Sequence, residues 1–132
     1  MGLKARPRSK TSSLQSDLEA LKAFAFGLPE AFEDHPWGES VAKVRRKVFV
    51  FFGRPQPDDL HLSVKLPESG AELLAMPFAT PTGYGLGKSG WVTIECTRDS
   101  RLPLELLRAF VTESYRAVAP KTLVARLEAR PE

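Results

Sequence analysis

Two segments in which apolar and polar residues alternate strictly constrain the fold most. In LHLSVKL, residues 60–66, every second residue is leucine or valine, and the residues between them are polar. WVTIEC, residues 91–96, repeats the alternation, with Val92, Ile94 and Cys96 on one face. A period of two predicts half-buried strands of an antiparallel sheet. One face of that sheet must be covered by other apolar groups.

Apolar residues at helical spacing before and after these strands predict helices that cover the apolar face of the sheet. Apolar residues recur every three or four positions over residues 13–26, which predicts a first helix. A second stripe comprises Leu107, Phe110, Val111, Ser114 and Val118, and a last short helix is predicted after Pro120.

Between the two predicted helical regions, the chain carries further strand signals. Residues 40–53 predict two strands around a turn at Arg45 and Arg46, and residues 68–76 predict a short helix. The stretch PEAFEDHPWGE is predicted to be a connecting loop. The order of elements favours a single α+β domain over residues 13–130, with an antiparallel sheet packed against helices.

The excess positive charge lies in the first twelve residues. The chain has 19 basic and 16 acidic residues and a net charge of +3, but residues 1–12 contain four basic residues and no acidic one. The remainder therefore carries a net charge of −1. We predict that residues 1–12 form a flexible basic arm, which could either contact phosphates or simply aid solubility.

Several classes of protein are disfavoured by composition. The chain lacks a run of about 18 apolar residues and an apolar secretory signal, so we expect a cytoplasmic protein with no membrane segment. With Cys96 as its single cysteine and His35 and His61 as its only histidines, we expect no disulfide, no metal and no cofactor. Cys96 is predicted to be a buried, unreactive thiol.

The segment TGYGLGKSGWV, residues 82–92, contains a partial match to a phosphate-binding loop. Gly87, Lys88 and Ser89 fit the end of that motif, but Thr82 stands where its first glycine belongs. The residues that follow predict a strand instead of the helix whose amides would face a phosphate. We therefore expect the glycines to serve a tight backbone turn.

Five short segments, taken together, resemble the MmcQ/YjbR family over about residues 14–128. They include Pro-Trp-Gly, Lys-Val-Phe, Leu-Ser-Val-Lys, Gly-Leu-Gly-Lys-Ser-Gly-Trp-Val and Ser-Tyr, in this order. Their signature residues are Pro36, Trp37, Gly38, Lys47, Lys65, Gly87, Lys88, Trp91, Ser114 and Tyr115. The resemblance implies a curved antiparallel sheet against helices, similar to secretion-chaperone-like folds, and DNA binding through a proposed double-wing arrangement of hairpins.

The candidate site is a set of cations with an aromatic neighbour. Its members are Lys43, Arg45, Arg46, Lys47, Lys65, Lys88 and Trp91. The cations could neutralise phosphates and an exposed Trp91 could stack on a base, or the set could be an ordinary solvated strand face with the tryptophan anchoring a loop. We expect a non-enzymatic domain that binds nucleic acid, with a protein-interaction module as the alternative.

Overall fold

The structure, a computed structural model, describes residues 5–53 and 59–129, with side chains from residue 14 onward. The helices are α1 (Ala5–Phe26), α2 (Gly70–Leu73), α3 (Leu104–Val118) and α4 (Lys121–Ala129). The strands are β1 (Ala31–Asp34), β2 (Ser40–Val44), β3 (Lys47–Gly53), β4 (Asp59–Lys65), β5 (Ala79–Pro81) and β6 (Trp91–Thr97). Short 3₁₀ turns occupy Pro36–Gly38 and Leu86–Ser89.

Within the described residues, the strands form one antiparallel sheet in the order β1-β2-β3-β4-β6-β5. The ladder between β4 and β6 runs from the pair Asp59 and Thr97 to the pair Lys65 and Trp91. Register shifts interrupt the pairing of β2 with β3, and such bulges bend a strand. The predicted α+β class is confirmed.

The core lies between one face of the sheet and helices α1 and α3. The alternation in β4 and β6 places its apolar residues there, as the sequence predicted. The buried residues of the two helices follow the predicted stripes, and Leu123 adds a contact from α4. The largest fully buried side chains include Tyr115, Phe49, Leu21, Leu60, Leu62, Ile94 and Leu107.

Two buried hydroxyl groups of α3 attach the helix to the sheet and to the turn after α1. Ser114 Oγ accepts a hydrogen bond from the Lys65 N–H at 2.8 Å and donates one to the Phe49 carbonyl at 2.6 Å. It thus bridges β3 and β4 just beyond their pair Val50 and Val64. Tyr115 Oη donates to the Pro29 carbonyl at 2.7 Å, which fixes the chain after α1.

Four details differ from the sequence expectations. Helix α1 begins at Ala5 instead of residue 13, and Pro7 is compatible with this start because its missing N–H falls in the first turn. Residues 5–12 of the predicted basic arm thus have helical backbone, residues 1–4 lie outside the described residues, and the flexibility of the arm stays a prediction. The predicted loop after Pro29 contains β1, and β5 was not predicted. Helix α2 is a single turn.

The two unpredicted strands are short and lie at the two edges of the sheet. An edge strand is covered on fewer sides, so it needs no apolar alternation. In β1, Phe32 and Glu33 are both exposed, and β5 ends with Pro81, which has no N–H to donate.

Candidate nucleic-acid interface

The turn between β2 and β3 carries Arg45 and Arg46, as predicted, because Val44 pairs with Lys47. Arg45 has a left-handed backbone, with φ of 59°. Its guanidinium Nε lies 2.7 Å from Glu30 Oε1, and a hydrogen bond within this ion pair raises the pKa of Arg45 and lowers that of Glu30. Arg126 of α4 lies 3.4 Å from the other Glu30 oxygen. Glu30 therefore connects the hairpin to α4.

Lys43, on β2, is also paired with a carboxylate. Its Nζ lies 3.0 Å from Asp34 Oδ2 on the neighbouring strand β1. The hydrogen bond from Lys43, and then that from the backbone amide of His35, lower the pKa of Asp34. Two of the predicted phosphate ligands, Lys43 and Arg45, thus already have internal counter-ions.

The remaining hairpin cations, Arg46 and Lys47, face an open cleft of about 860 Å³ between the hairpin and the junction of α3 with α4. Both side chains are exposed, and so is Lys121, which lines the opposite wall. Among the described side chains, no carboxylate lies within ion-pair distance of these three cations. The rest of the lining consists of Val44, Arg45, Val118, Ala119 and Pro120. We call this feature the hairpin cleft.

Sequence reasoning missed Lys121 and Glu30 as members of this site. Lys121 is far from the hairpin along the chain, and nothing in its local pattern distinguishes it from other surface lysines. Glu30 lies in the segment that was predicted to be a loop. Both residues reach the site through tertiary packing.

The other predicted site residues lie outside the hairpin cleft. Lys65 is half-buried on the sheet face opposite the helices, where it pairs in register with Trp91. Lys88 is exposed in the second 3₁₀ turn. Of the two alternatives for Trp91, the structure contradicts the exposed stacking platform, because this side chain is only 8% exposed and packs edge-on against Phe51, with ring centroids 5.3 Å apart.

The glycines of the segment 82–92 shape the backbone, as predicted. Gly85 and Gly90 have φ of 79° and 92°, and a Cβ atom on Gly87 would lie 2.9 Å from Pro81 Cβ. The segment enters strand β6 after the short 3₁₀ turn. It therefore lacks the helix that follows a phosphate-binding loop.

The two histidines and the cysteine lie away from the hairpin cleft. His35 Nε2 is 3.0 Å from Glu33 Oε2, and the same oxygen accepts a hydrogen bond from Ser40 at 2.7 Å. His61 pairs in register with Glu95 on the open sheet face. Cys96 is buried, as expected, and burial raises its pKa. In the described part of the chain, no three His, Cys, Asp or Glu side chains come together as metal ligands.

Comparison with known proteins identifies the family. A family model described as YjbR matches residues 26–117. The chain belongs to the YjbR family. Its structure is similar to that of Deinococcus radiodurans protein DR2400, whose domain is named DUF419, with a TM-score of 0.65 and 32% sequence identity over 85% of this chain and 88% of that protein. No curated protein matches the chain.

Several signature residues of this YjbR domain have structural roles. Ser114 holds α3 to the sheet, Tyr115 holds it to the turn after α1, and Gly87 allows a close approach to Pro81. Gly38 has φ of 80°, which glycine tolerates best. Trp37, in contrast, is 86% exposed. None of the helices in the described ranges is long and apolar enough to span a bilayer.

Proposed function

We propose that this YjbR-family domain is a non-enzymatic binding domain for nucleic acid, including DNA, which it contacts through the phosphate backbone in the hairpin cleft. The observation that carries the proposal is the convergence of Arg46, Lys47 and Lys121 around one concavity, with no carboxylate partner among the described side chains. A polyanion can pair with these cations without first displacing an internal counter-ion.

The apolar part of the cleft supports this assignment. Val118, Ala119 and Pro120 line the cleft together with the cations, so that a bound sugar–phosphate chain would meet apolar atoms as well as charges. Aliphatic side chains offer no hydrogen-bond donors or acceptors to base edges, which carry the sequence information. We therefore expect binding with little sequence preference.

The number of free cations sets the expected salt dependence. Three phosphate contacts predict a slope of log K against log salt of about −2.7 for duplex DNA and about −2 for single strands. Arg45 and Arg126 would add to the slope only if a phosphate displaced Glu30 from them.

Fluorescence anisotropy with labelled single-stranded and duplex DNA at about 50 to 200 mM salt tests the proposal. The double variant Arg46→Ala/Lys47→Ala should weaken binding and flatten the salt slope. Arg98→Ala/Arg101→Ala is the charge-matched control. It removes the same charge beyond the end of β6, at the opposite end of the sheet, where Arg101 already has Asp17 as a partner at 3.0 Å. Absence of binding at the lowest salt, or equal losses in the two double variants, contradicts the proposal.

A second candidate function, a protein-interaction module, is supported by exposed aromatic side chains near the β1 edge. Trp37 is 86% exposed and Phe32 is 44% exposed. Exposed aromatic residues are enriched in protein interfaces. A nuclease-treated pull-down with wild type and Trp37→Ala distinguishes this function: it predicts a defined protein partner that the variant loses, whereas the variant should retain nucleic-acid binding.

A further inference from the structure

Tyr84, in the loop between β5 and β6, is fully exposed. Its φ of 58° lies in the left-handed region, which a tyrosine adopts only at a cost in backbone free energy. The residues on either side are glycines, which adopt this conformation more easily, and Gly85 itself has φ of 79°. A bulky aromatic side chain without packing at a strained position indicates a role other than stability.

Backbone hydrogen bonds fix the position of this loop. The Gly87 N–H donates to the Thr82 carbonyl at 3.0 Å, and the Thr82 N–H donates to the Trp91 carbonyl at 3.2 Å. The Leu86 N–H also donates to the Gly83 carbonyl, at 3.1 Å. The loop thus holds the Tyr84 ring in solvent on an ordered support, so that a ligand would pay little entropy to order the loop.

The sheet register places this loop at the same end of the domain as the hairpin cleft. Lys65 pairs with Trp91, and β3 begins at Lys47 beside the end of β4. Two strand spacings, about 10 Å, separate β3 from β6. A few nucleotides of a single strand are enough to cover this width.

We propose that Tyr84 stacks on an unpaired base of a single-stranded nucleic acid whose phosphates occupy the hairpin cleft. This inference rests on the proposed function and narrows it to single strands, because duplex bases do not expose their faces. Lys88, exposed four residues after Tyr84, supplies a cation for the next phosphate. Aromatic stacking accepts every base, which agrees with binding that has little sequence preference.

Another exposed aromatic residue, Trp37, serves as a matched control. Trp37 also has a left-handed backbone, with φ of 55°, and is followed by a left-handed glycine. It lies at the opposite end of the sheet, next to the beginning of β2. The length of β2 therefore separates Trp37 from the hairpin cleft.

The experiment compares two strands of about 12 nucleotides, an oligothymidylate and an abasic strand with the same phosphates. Wild type should bind the oligothymidylate at least about five-fold more tightly than the abasic strand, the lower end of what one stacked base contributes. Tyr84→Ala should remove this preference, whereas Tyr84→Phe and Trp37→Ala should keep it. Thermal melts verify that all variants are folded.

The outcomes separate the two proposals. If wild type binds the two strands equally and the double variant Arg46→Ala/Lys47→Ala binds neither, phosphate binding stands and the stacking inference is refuted. A preference for the oligothymidylate that survives in Tyr84→Ala also refutes the stacking inference. If wild type binds neither strand, both proposals are refuted.

Discussion

Replacing Ser114 by alanine tests the bridge that joins β3 to β4. The hydroxyl group accepts one hydrogen bond and donates another, and the side chain is fully buried. The substitution leaves the Lys65 N–H and the Phe49 carbonyl without their partner. Because both groups belong to the backbone of central strands, water reaches them only if the sheet opens.

The expected loss follows from these two groups. Each buried polar group that loses its partner costs about 1–3 kcal/mol. A small shift of β3 and β4 toward each other can offset part of this free-energy cost. We therefore expect a loss of about 2–4 kcal/mol in the free energy of unfolding. With a urea m value of about 2 kcal/mol/M, the midpoint should fall by about 1–2 M.

Urea unfolding monitored by tryptophan fluorescence measures this loss, since Trp91 is buried in the folded protein. Ser89→Ala is the control, because Ser89 is exposed and its replacement should change stability by less than about 0.5 kcal/mol. Amide hydrogen exchange at Lys65 should accelerate in Ser114→Ala alone. A midpoint within error of the wild-type value, with an unchanged m value, would show that the bridge contributes no net stability.

Two further predictions concern the glycines of residues 82–92 and the loss of stability at low pH. Gly87→Ala should lower the free energy of unfolding, measured in urea, by about 1–3 kcal/mol, because the new Cβ atom would meet Pro81. Gly83→Ala is the control and should be tolerated, because a Cβ atom there meets nothing within 4 Å. Equal losses of stability in the two variants would contradict the steric argument. The carboxylates of Glu30 and Asp34 have pKa values in the folded protein that lie below the ordinary carboxyl values. Their ion pairs therefore contribute fully to the free energy of unfolding above the ordinary carboxyl pKa. This contribution should disappear as the pH falls through the lower pKa values of the folded protein. The urea midpoint should therefore drop less between pH 7 and pH 3 in Glu30→Gln/Asp34→Asn than in wild type, and equal drops would refute this.

The fold was predictable wherever a local pattern reports burial. The alternation of Leu60, Leu62 and Val64 identifies β4, because a strand covered on one face must alternate. The same reasoning failed for Trp91, which belongs to the polar face by position but is covered by packing against Phe51. The alternation assigns a residue to a face of the sheet, and neighbouring strands decide how exposed that face is.

The candidate site was less predictable because its charges depend on distant partners. The sequence shows Lys43 and Arg45 as two members of one basic run, yet Asp34 and Glu30 neutralise them across β1 and its preceding turn. The sequence also gives no reason to place Lys121 beside the hairpin. Formal charge along the chain therefore overstated the charge available on the hairpin and missed the opposite wall of the cleft.

The weak attachment of α4 determines how the hairpin cleft can open. This nine-residue helix has Leu123 as its single buried residue among 121–129, and Leu127 packs against the core only in part. The exposed ion pairs of Arg126 with Glu30 and of Arg116 with Glu128 add little. Helices with so few buried contacts open by local unfolding well before the whole domain does. We therefore expect α4, which carries Lys121, to unfold locally while the hairpin stays folded. A ligand that contacts both Lys121 and the hairpin would stabilise α4 against this local unfolding.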